Sequence, residues 1–298
     1  MNKNRLVLID AFALIHRAFH GLPPLTTSDG QLVNAVYGFT SALLSSIRNL
    51  DPEYLVCGFD LPGPTRHHEI FKEYKAHRPP TPDELSSQVP YVKDVLKTFN
   101  VPIISAEGYE GEDIIATVIS SVKDKNIESI IVTGDMDTLQ LIDEKTRVYS
   151  MARGINQAVM YDIAKVQERY GLLPDQFVDF KALKGDPSDN IPGVPGIGEK
   201  GASKLISENG NLEEIYKNIE KITEKYQTIL KENKEQAFLS QKLSKISSDA
   251  PIDFNLSDAK VHNYDKEKVI ELFNKLGFRS LISRLPDVHK PKPQPKLF

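Results

Sequence analysis

The first half of the chain alternates short apolar runs with helix-patterned segments, and few folds accept that order. "RLVLID" (5–10), "EYLVCGFD" (53–60), "VPIISAEG" (101–108) and "ESIIVTGD" (128–135) are rich in Val, Ile, Leu or Phe, with turn residues near their ends. Such runs read as strands buried on both faces. Between them lie "NAVYGFTSALLSSIRNL", "SSQVPYVKDVLKTFN" and a helix over 112–122 whose Ile114, Ile115, Val118, Ile119 and Val122 share one face. This alternation predicts an α/β fold with a mostly parallel central sheet flanked by helices. "TRVYSM" and "QAVMYD" are candidates for shorter strands at an edge. From about Tyr170 the texture changes to Lys-, Glu-, Leu- and Ile-rich segments with helical spacing, broken near Gly277. The expected division is an α/β core over 1–169, a helical region over 170–287, and an extended Lys/Pro tail over 288–298.

Acidic residues stand where the strands end. Asp10 closes the first run, Asp60 the second and Asp135 the fourth, with Asp137 two residues on. Glu110, Glu112 and Asp113 crowd the start of the 112–122 helix, just past the third run. Acids in a first turn complement the helix dipole by ~0.3–1 kcal/mol each, and one or two would need no other explanation. Asp186 and Asp189 add a further pair in "KGDPSDN". In an open α/β sheet ligands bind at the carboxyl ends of the strands, so adjacent strands would bring these acids to one edge. A like-charged pair at ~4 Å costs about 4 kcal/mol at an effective dielectric of 20. Such a cluster persists if some acids stay protonated or if cations bind. Hard divalent ions with oxygen ligands are the natural solution, and Mg²⁺ keeps room for water and phosphate oxygens. No His or Cys needs to join, which disfavours zinc.

Two other stretches point to a polyanion. "TRHHEIFKEYKAHRPPTP" (65–82) interleaves Arg66, Lys72, Lys75 and Arg78 with His67, His68, His77, Phe71 and Tyr74. Lys75 and Arg78, three apart, would share a helix face next to Tyr74, a set suited to a phosphate and an unstacked base. In "NIPGVPGIGEKGASKLI" (190–206), Gly196-Ile197-Gly198 precede a helix beginning near Glu199 or Lys200. Glycines there let a backbone approach, and a helix N-terminus offers N–H groups to phosphate. Ile197 would plug the hairpin, while Lys200 and Lys204 add charge. This fits a helix–hairpin–helix grip on a DNA backbone, which carries no sequence information.

The bulk numbers are compatible with this. The chain has 298 residues and a formal net charge of −4, but charge acts through its distribution and an acidic pocket can mask a basic face. The single cysteine, Cys57, excludes an internal disulfide and a Cys-based zinc site and fits a reducing compartment. No run reaches 18 apolar residues and "MNKNRLVLID" is charged too early for a signal peptide, so a cytoplasmic protein without a membrane partner is expected.

"LVLIDAFALIHRAFH", "NAVYGF", "FD" at 59–60, "YKAHRPPTP", "GYEGEDIIAT", "VTGDMDTLQL" and "GDPSDNIPGVPGIGEKGA" follow one another in a familiar order. Over about residues 5–287 the chain resembles the 5′-nuclease domain of bacterial DNA polymerase I, of the flap endonuclease family. The resemblance implies a PIN-like nuclease core with a helical arch near 65–85 and a helix–three-turn–helix at 190–206. It implies structure-specific 5′→3′ exonuclease and flap cleavage of DNA with a 5′ flap, nick or 5′ end, using two Mg²⁺ ions, with Mn²⁺ as a substitute. Asp10, Asp60, Glu110 and Glu112 match the first metal site; Asp135, Asp137 and Asp186 match the second, with Asp189 beside it. Asp113 matches an acid present in bacterial members and, with Asp189, is counted among the metal ligands. Lys75 and Arg78 match basic residues that contact the scissile phosphate, and Tyr74 an aromatic beside them. Gly196, Ile197 and Gly198 match a segment that also binds K⁺, continuing to Lys200, and Arg17 matches a basic residue near the site.

Two departures stand out. Bacterial members usually read Glu-x-Asp-Asp where this chain has Glu110-Gly111-Glu112-Asp113. Archaeal and eukaryotic relatives carry Glu there, so activity is expected to survive with an altered Mg²⁺/Mn²⁺ preference. No polymerase segment follows within these residues, which leaves a free-standing nuclease or an excised domain, with a polymerase as a possible partner. The last five residues, Gln294 to Phe298, resemble a peptide that docks on the bacterial sliding clamp. A PIN-type ribonuclease would share the acids without needing the hairpin, and a noncatalytic DNA-binding module would share the hairpin without needing the acids.

Overall fold

The computed structural model describes residues 4–261 and 263–286. In chain order the first half runs β1 (Arg5–Asp10), α1 (Ala11–Gly21), α2 (Asn34–Leu50), β2 (Tyr54–Gly58), α3 (Arg66–Ile70), α4 (Asp83–Ser86), α5 (Val89–Thr98), β3 (Ile103–Ile104), α6 (Gly111–Val122), β4 (Glu128–Thr133), β5 (Thr146–Ser150) and β6 (Val159–Tyr161). The second half is helical: α7 (Ile163–Tyr170), α8 (Phe177–Lys184), α9 (Glu199–Asn209), α10 (Leu212–Lys217), α11 (Glu224–Glu232), α12 (Lys234–Ser244), α13 (Lys266–Lys275) and α14 (Arg279–Ile282). No described helix is long and apolar enough to cross a membrane. The tail over 288–298, with the Gln294–Phe298 motif, lies outside the described residues.

Six strands form one sheet in the order β3-β2-β1-β4-β5-β6. The first five are parallel, and β6 pairs antiparallel with β5. The 151–158 connection is too short for a crossover, so the chain can only turn back along its neighbour. β3 shrinks to two residues because Pro102, just ahead of it, has no N–H for the ladder. The chain builds outward from β1 through β2 to β3, then returns to β4 on the other side. The topological switch point therefore falls between β1 and β4.

Both sheet faces are covered, as the continuous apolar strands require. Val7, Ile9, Leu55 and Cys57 face α1, α2 and α5, while Leu6, Leu8, Val56 and Ile131 face α6, α8 and α9. The end of the chain departs from the expected division at 170. Val269, Phe273, Phe278 and Leu281 are buried in the core of the first half. Phe278 meets Tyr37 edge-on at 5.3 Å and Phe273 lies 6.1 Å from Phe99. The aromatic faces of α13 and α14 thus complete the first half rather than extend the second.

One buried side chain ties this layer together. Val33, which precedes α2, gives it no side-chain cap. Gln88, fully buried, does so instead: its Oε1 accepts from the Ala35 N–H at 2.8 Å. Its amide donates to Asn34 Oδ1 at 3.1 Å and to the Glu84 carbonyl at 3.0 Å. Gln88→Met keeps the volume and strands these groups, each worth ~1–3 kcal/mol when buried and unpaired. Denaturant unfolding of that variant should show a loss of about 2–4 kcal/mol.

Candidate active site

β1 ends in Asp10, which is also the N-cap of α1: its Oδ1 accepts from the Ala13 N–H at 3.2 Å. Its Oδ2 accepts from Thr133 Oγ1, at the end of the adjacent β4, at 2.6 Å. Asp60 follows β2 and accepts from the Gly111 N–H at 3.0 Å. Gly111 opens α6, and a Cβ there would sit 3.0 Å from Asp60 Oδ2 and 3.8 Å from Asp10 Oδ1. The position is a glycine because two carboxylates close over it. Beyond β4, Asp135 Oδ1 accepts from the Asp137 N–H at 2.9 Å.

The expected acids therefore meet at the carboxyl edge of the sheet, at its switch point, and their protonation reports the crowding. Burial, then Asp60 and Asp135, raise the Asp10 pKa to about 7. Burial and Asp135 raise that of Asp137 to about 6. Glu112 is pushed well up by burial and by Asp135, Asp137 and Glu110, and Asp60 is raised chiefly by burial. Two acids stay ionised although burial opposes it. Lys75 holds Glu110 down at about 2, and Lys181 with Ser188 holds Asp186 at about 2.

The lysines are the counter-ions. Lys75 Nζ lies 2.5 Å from Glu110 Oε2. Lys181, 3% exposed on α8, bridges Asp137 and, at 2.6 Å, Asp186. Among the described residues no three acid, His or Cys side chains stand as a ready-made ion cage. Ammonium groups sit at the negative centres instead. All-oxygen donors, several with raised pKa values and others paired with ammonium, fit a hard divalent cation.

Two expected roles need correction. Asp113 was grouped with the metal ligands, but its oxygens accept from the backbone N–H groups of Glu110 at 3.0 Å and Ser247 at 2.7 Å. It is a cap that docks the 247 loop. Tyr74 was expected to offer its ring to a base, but it is 2% exposed and its hydroxyl donates to Glu110 at 3.3 Å and Asp189 at 3.2 Å. Nor do Lys75 and Arg78 share a helix face. Helix α3 stops at Ile70, and Lys75 takes a left-handed conformation with φ 56°. Its N–H donates to the Asp189 carbonyl at 2.9 Å, and the Asn190 side chain donates to the Glu73 carbonyl at 2.7 Å. These bonds, with the ion pair of Arg78 to Asp189, outweigh a backbone cost of ~1–2 kcal/mol.

The 185–193 loop carries Asp186 and Asp189. Asp186 and Ile191 exchange backbone hydrogen bonds at 2.9 and 2.8 Å. A Cβ at Gly193 would stand 2.3 Å from the Gly185 nitrogen, so only glycine closes the loop. Gly196 follows with φ 89°, Ile197 is buried, and Gly198 precedes α9, on which Lys200 and Lys204 are exposed. Lys204 pairs with Glu208 at 3.8 Å.

An open cleft of about 560 Å³ runs from Asp135, Asp137 and Asp186 to Glu199 at the start of α9. Arg17, Arg169 and Lys184 line it. None has a carboxylate partner among the described residues. Arg17 donates to the Ala152 carbonyl, Arg169 lies 5.0 Å over the Tyr170 ring, and Lys184 5.4 Å over Phe180. Sequence reading missed Lys181, Arg169 and Lys184; the one available signal was a lysine inside the apolar "FVDFKALK".

Residues 5–171 match the family model for the 5′-3′ exonuclease N-terminal resolvase-like domain, and 172–267 that for the 5′-3′ exonuclease C-terminal SAM fold. The chain belongs to the 5′-3′ exonuclease family. It is 42% identical over 283 residues to DNA polymerase I of Caldicellulosiruptor bescii and 39% over 284 to that of Bacillus subtilis. These alignments cover 94% and 95% of the chain but 33% and 32% of the relatives, so the chain spans about a third of their length. Among solved structures, the T5 D15 protein co-crystallised with metal ions matches with a TM-score of 0.68 and 23% identity, over 81% of this chain and 89% of that one. Flap endonuclease-1 from Methanococcus jannaschii matches at 0.57 and 17%, over 95% and 90%.

The raised acids carry a pH signature. A carboxyl whose folded pKa exceeds its unfolded value loses stability as pH rises from the unfolded pKa through the folded one. Asp10 and Asp137 place that window between about pH 4 and 7. Glu110 and Asp186 act only at lower pH, while His16, lowered mainly by burial, opposes the trend with one group. In chelator the melting temperature should fall from pH 5 to pH 8, and added Mg²⁺ should flatten that slope.

Proposed function

We propose that this chain is a divalent-cation-dependent, structure-specific 5′→3′ exonuclease and flap endonuclease that hydrolyses DNA phosphodiesters in replication and repair. The carrying observation is the acid bowl at the switch point, too negative to persist without protons or cations. Family membership supports the substrate class. Asp10, Asp60, Glu110 and Glu112 would hold one ion, and Asp135, Asp137 and Asp186 a second, with Asp189 fixing Arg78. When bound, Mg²⁺ or Mn²⁺ lowers the pKa of a water and stabilises the attacking and leaving oxygens.

The chain's own residues supply the rest. Lys75 and Arg78, held beside the acids by Glu110 and Asp189, offset charge on the reacting phosphoryl group. Gly196, Gly198, Lys200 and Lys204 hold the uncut duplex through its backbone, with K⁺ at Gly196–Gly198. Arg17, Arg169 and Lys184 line the path between duplex grip and acids, where their unpaired charge suits phosphates.

The test is a labelled 5′-flap duplex, with and without Mg²⁺, against single-stranded DNA and RNA. Cleavage is expected on the flap duplex alone and only with the ion. Asp60→Ala should lower the rate by at least 100-fold while leaving duplex binding in Ca²⁺ within about threefold. Equal cleavage of RNA would favour a ribonuclease, and wild-type rates in Asp60→Ala would remove the metal assignment. Arg169→Gln and Lys184→Gln should each weaken duplex binding regardless of sequence. Each should also reduce the slope of log K against log salt by about 1.

A further inference from the structure

Glu110 is unevenly held. Its Oε2 accepts from Lys75 Nζ at 2.5 Å and from the Tyr74 hydroxyl at 3.3 Å. Its Oε1 has only Thr65 Oγ1, at 3.4 Å. On that same side His67 is 7% exposed, with its ring 4.8 Å from that of Tyr74. His67 Nδ1 is buried without a hydrogen-bond partner, 3.9 Å from Glu110 Oε1. An unpaired buried ring nitrogen is a standing cost to the fold. Nothing in local folding requires it: the N-terminus of α3 is closed by Thr65 and His68, whose Nδ1 accepts from the Thr65 N–H at 3.0 Å. That closure does fix the backbone on both sides of His67, so its ring is aimed rather than loose.

We propose that His67 is a positioning residue for Glu110, donating from Nδ1 to Oε1 and so fixing the orientation of the carboxylate that would serve as a divalent-cation ligand. The inference rests on the reading of Glu110 as a metal ligand. Lys75 draws the carboxylate towards itself and holds Oε1 3.9 Å from His67 Nδ1, just beyond bonding reach. A cation sharing the carboxylate's charge would weaken that pull, and a small turn of the carboxylate would then satisfy the buried ring nitrogen. The residue touches neither substrate nor ion; it acts through Glu110, as outer partners of ligating carboxylates do.

The experiment measures Mn²⁺ binding to the full chain without DNA, following free Mn²⁺ by electron paramagnetic resonance, beside thermal melting in chelator. His67→Leu fills the space without a donor. His67→Asn is smaller but retains an N–H close to the Nδ1 position. The expected result is crossed: His67→Leu melts no lower than wild type yet binds Mn²⁺ 10–100-fold more weakly. His67→Asn melts lower yet binds within about threefold. A role in packing alone could not produce that pattern. Unchanged Mn²⁺ affinity in His67→Leu would overturn the inference, as would equal weakening in both variants. If the wild type binds no Mn²⁺, the metal reading falls and takes this inference with it.

Discussion

Like charge buried at one edge of a parallel sheet is the constraint around which the molecule is arranged. β1, β2 and β4 run the same way, so acids placed at or just after their ends cannot avoid one another. Each is held by a short polar contact that fixes direction without removing charge: Thr133 on Asp10, the Gly111 N–H on Asp60, the Asp137 N–H on Asp135. The crowding raises the pKa values of Asp10, Glu112 and Asp137, and ammonium groups answer the charge on Glu110, Asp137 and Asp186. A hydrophobic core fixes where the strands lie, but the acids decide what must gather at their ends.

The counter-ions come from outside the sheet, and this gives the surrounding segments their places. Lys181 belongs to α8, so the helical half is tied electrostatically to the sheet it covers. Lys75 and Arg78 belong to the 65–78 segment, which is drawn onto the 186–190 loop rather than standing away from the protein. The strained backbone at Lys75 and the burial of Tyr74 follow from that attraction.

Period and charge were legible in the sequence where they are local. The β1 run ends where expected, α2 spans the expected 17 residues, and the acids at strand ends meet as the parallel order demanded. What stayed hidden depends on distant partners. Nothing near Asp113 announces that Ser247 donates to it, and nothing near Tyr74 announces that Asp189 will bury it. The helix expected at Lys75 and Arg78 lost to contacts with a loop more than a hundred residues away. The docking of α13 on α5 was equally invisible, because an amphipathic stripe says that a face is covered and not by what.

The closed loop at Gly185 and Gly193 has one more implication. Because two backbones touch there, the eleven residues from Asp186 to Gly196 cannot stretch or slide. They form a spacer of set length between the edge of the sheet and the first turn of α9. A rigid polymer lying along that helix start would meet the acids at one invariant number of repeat units, so its position is measured by the protein's own main chain rather than chosen by side chains.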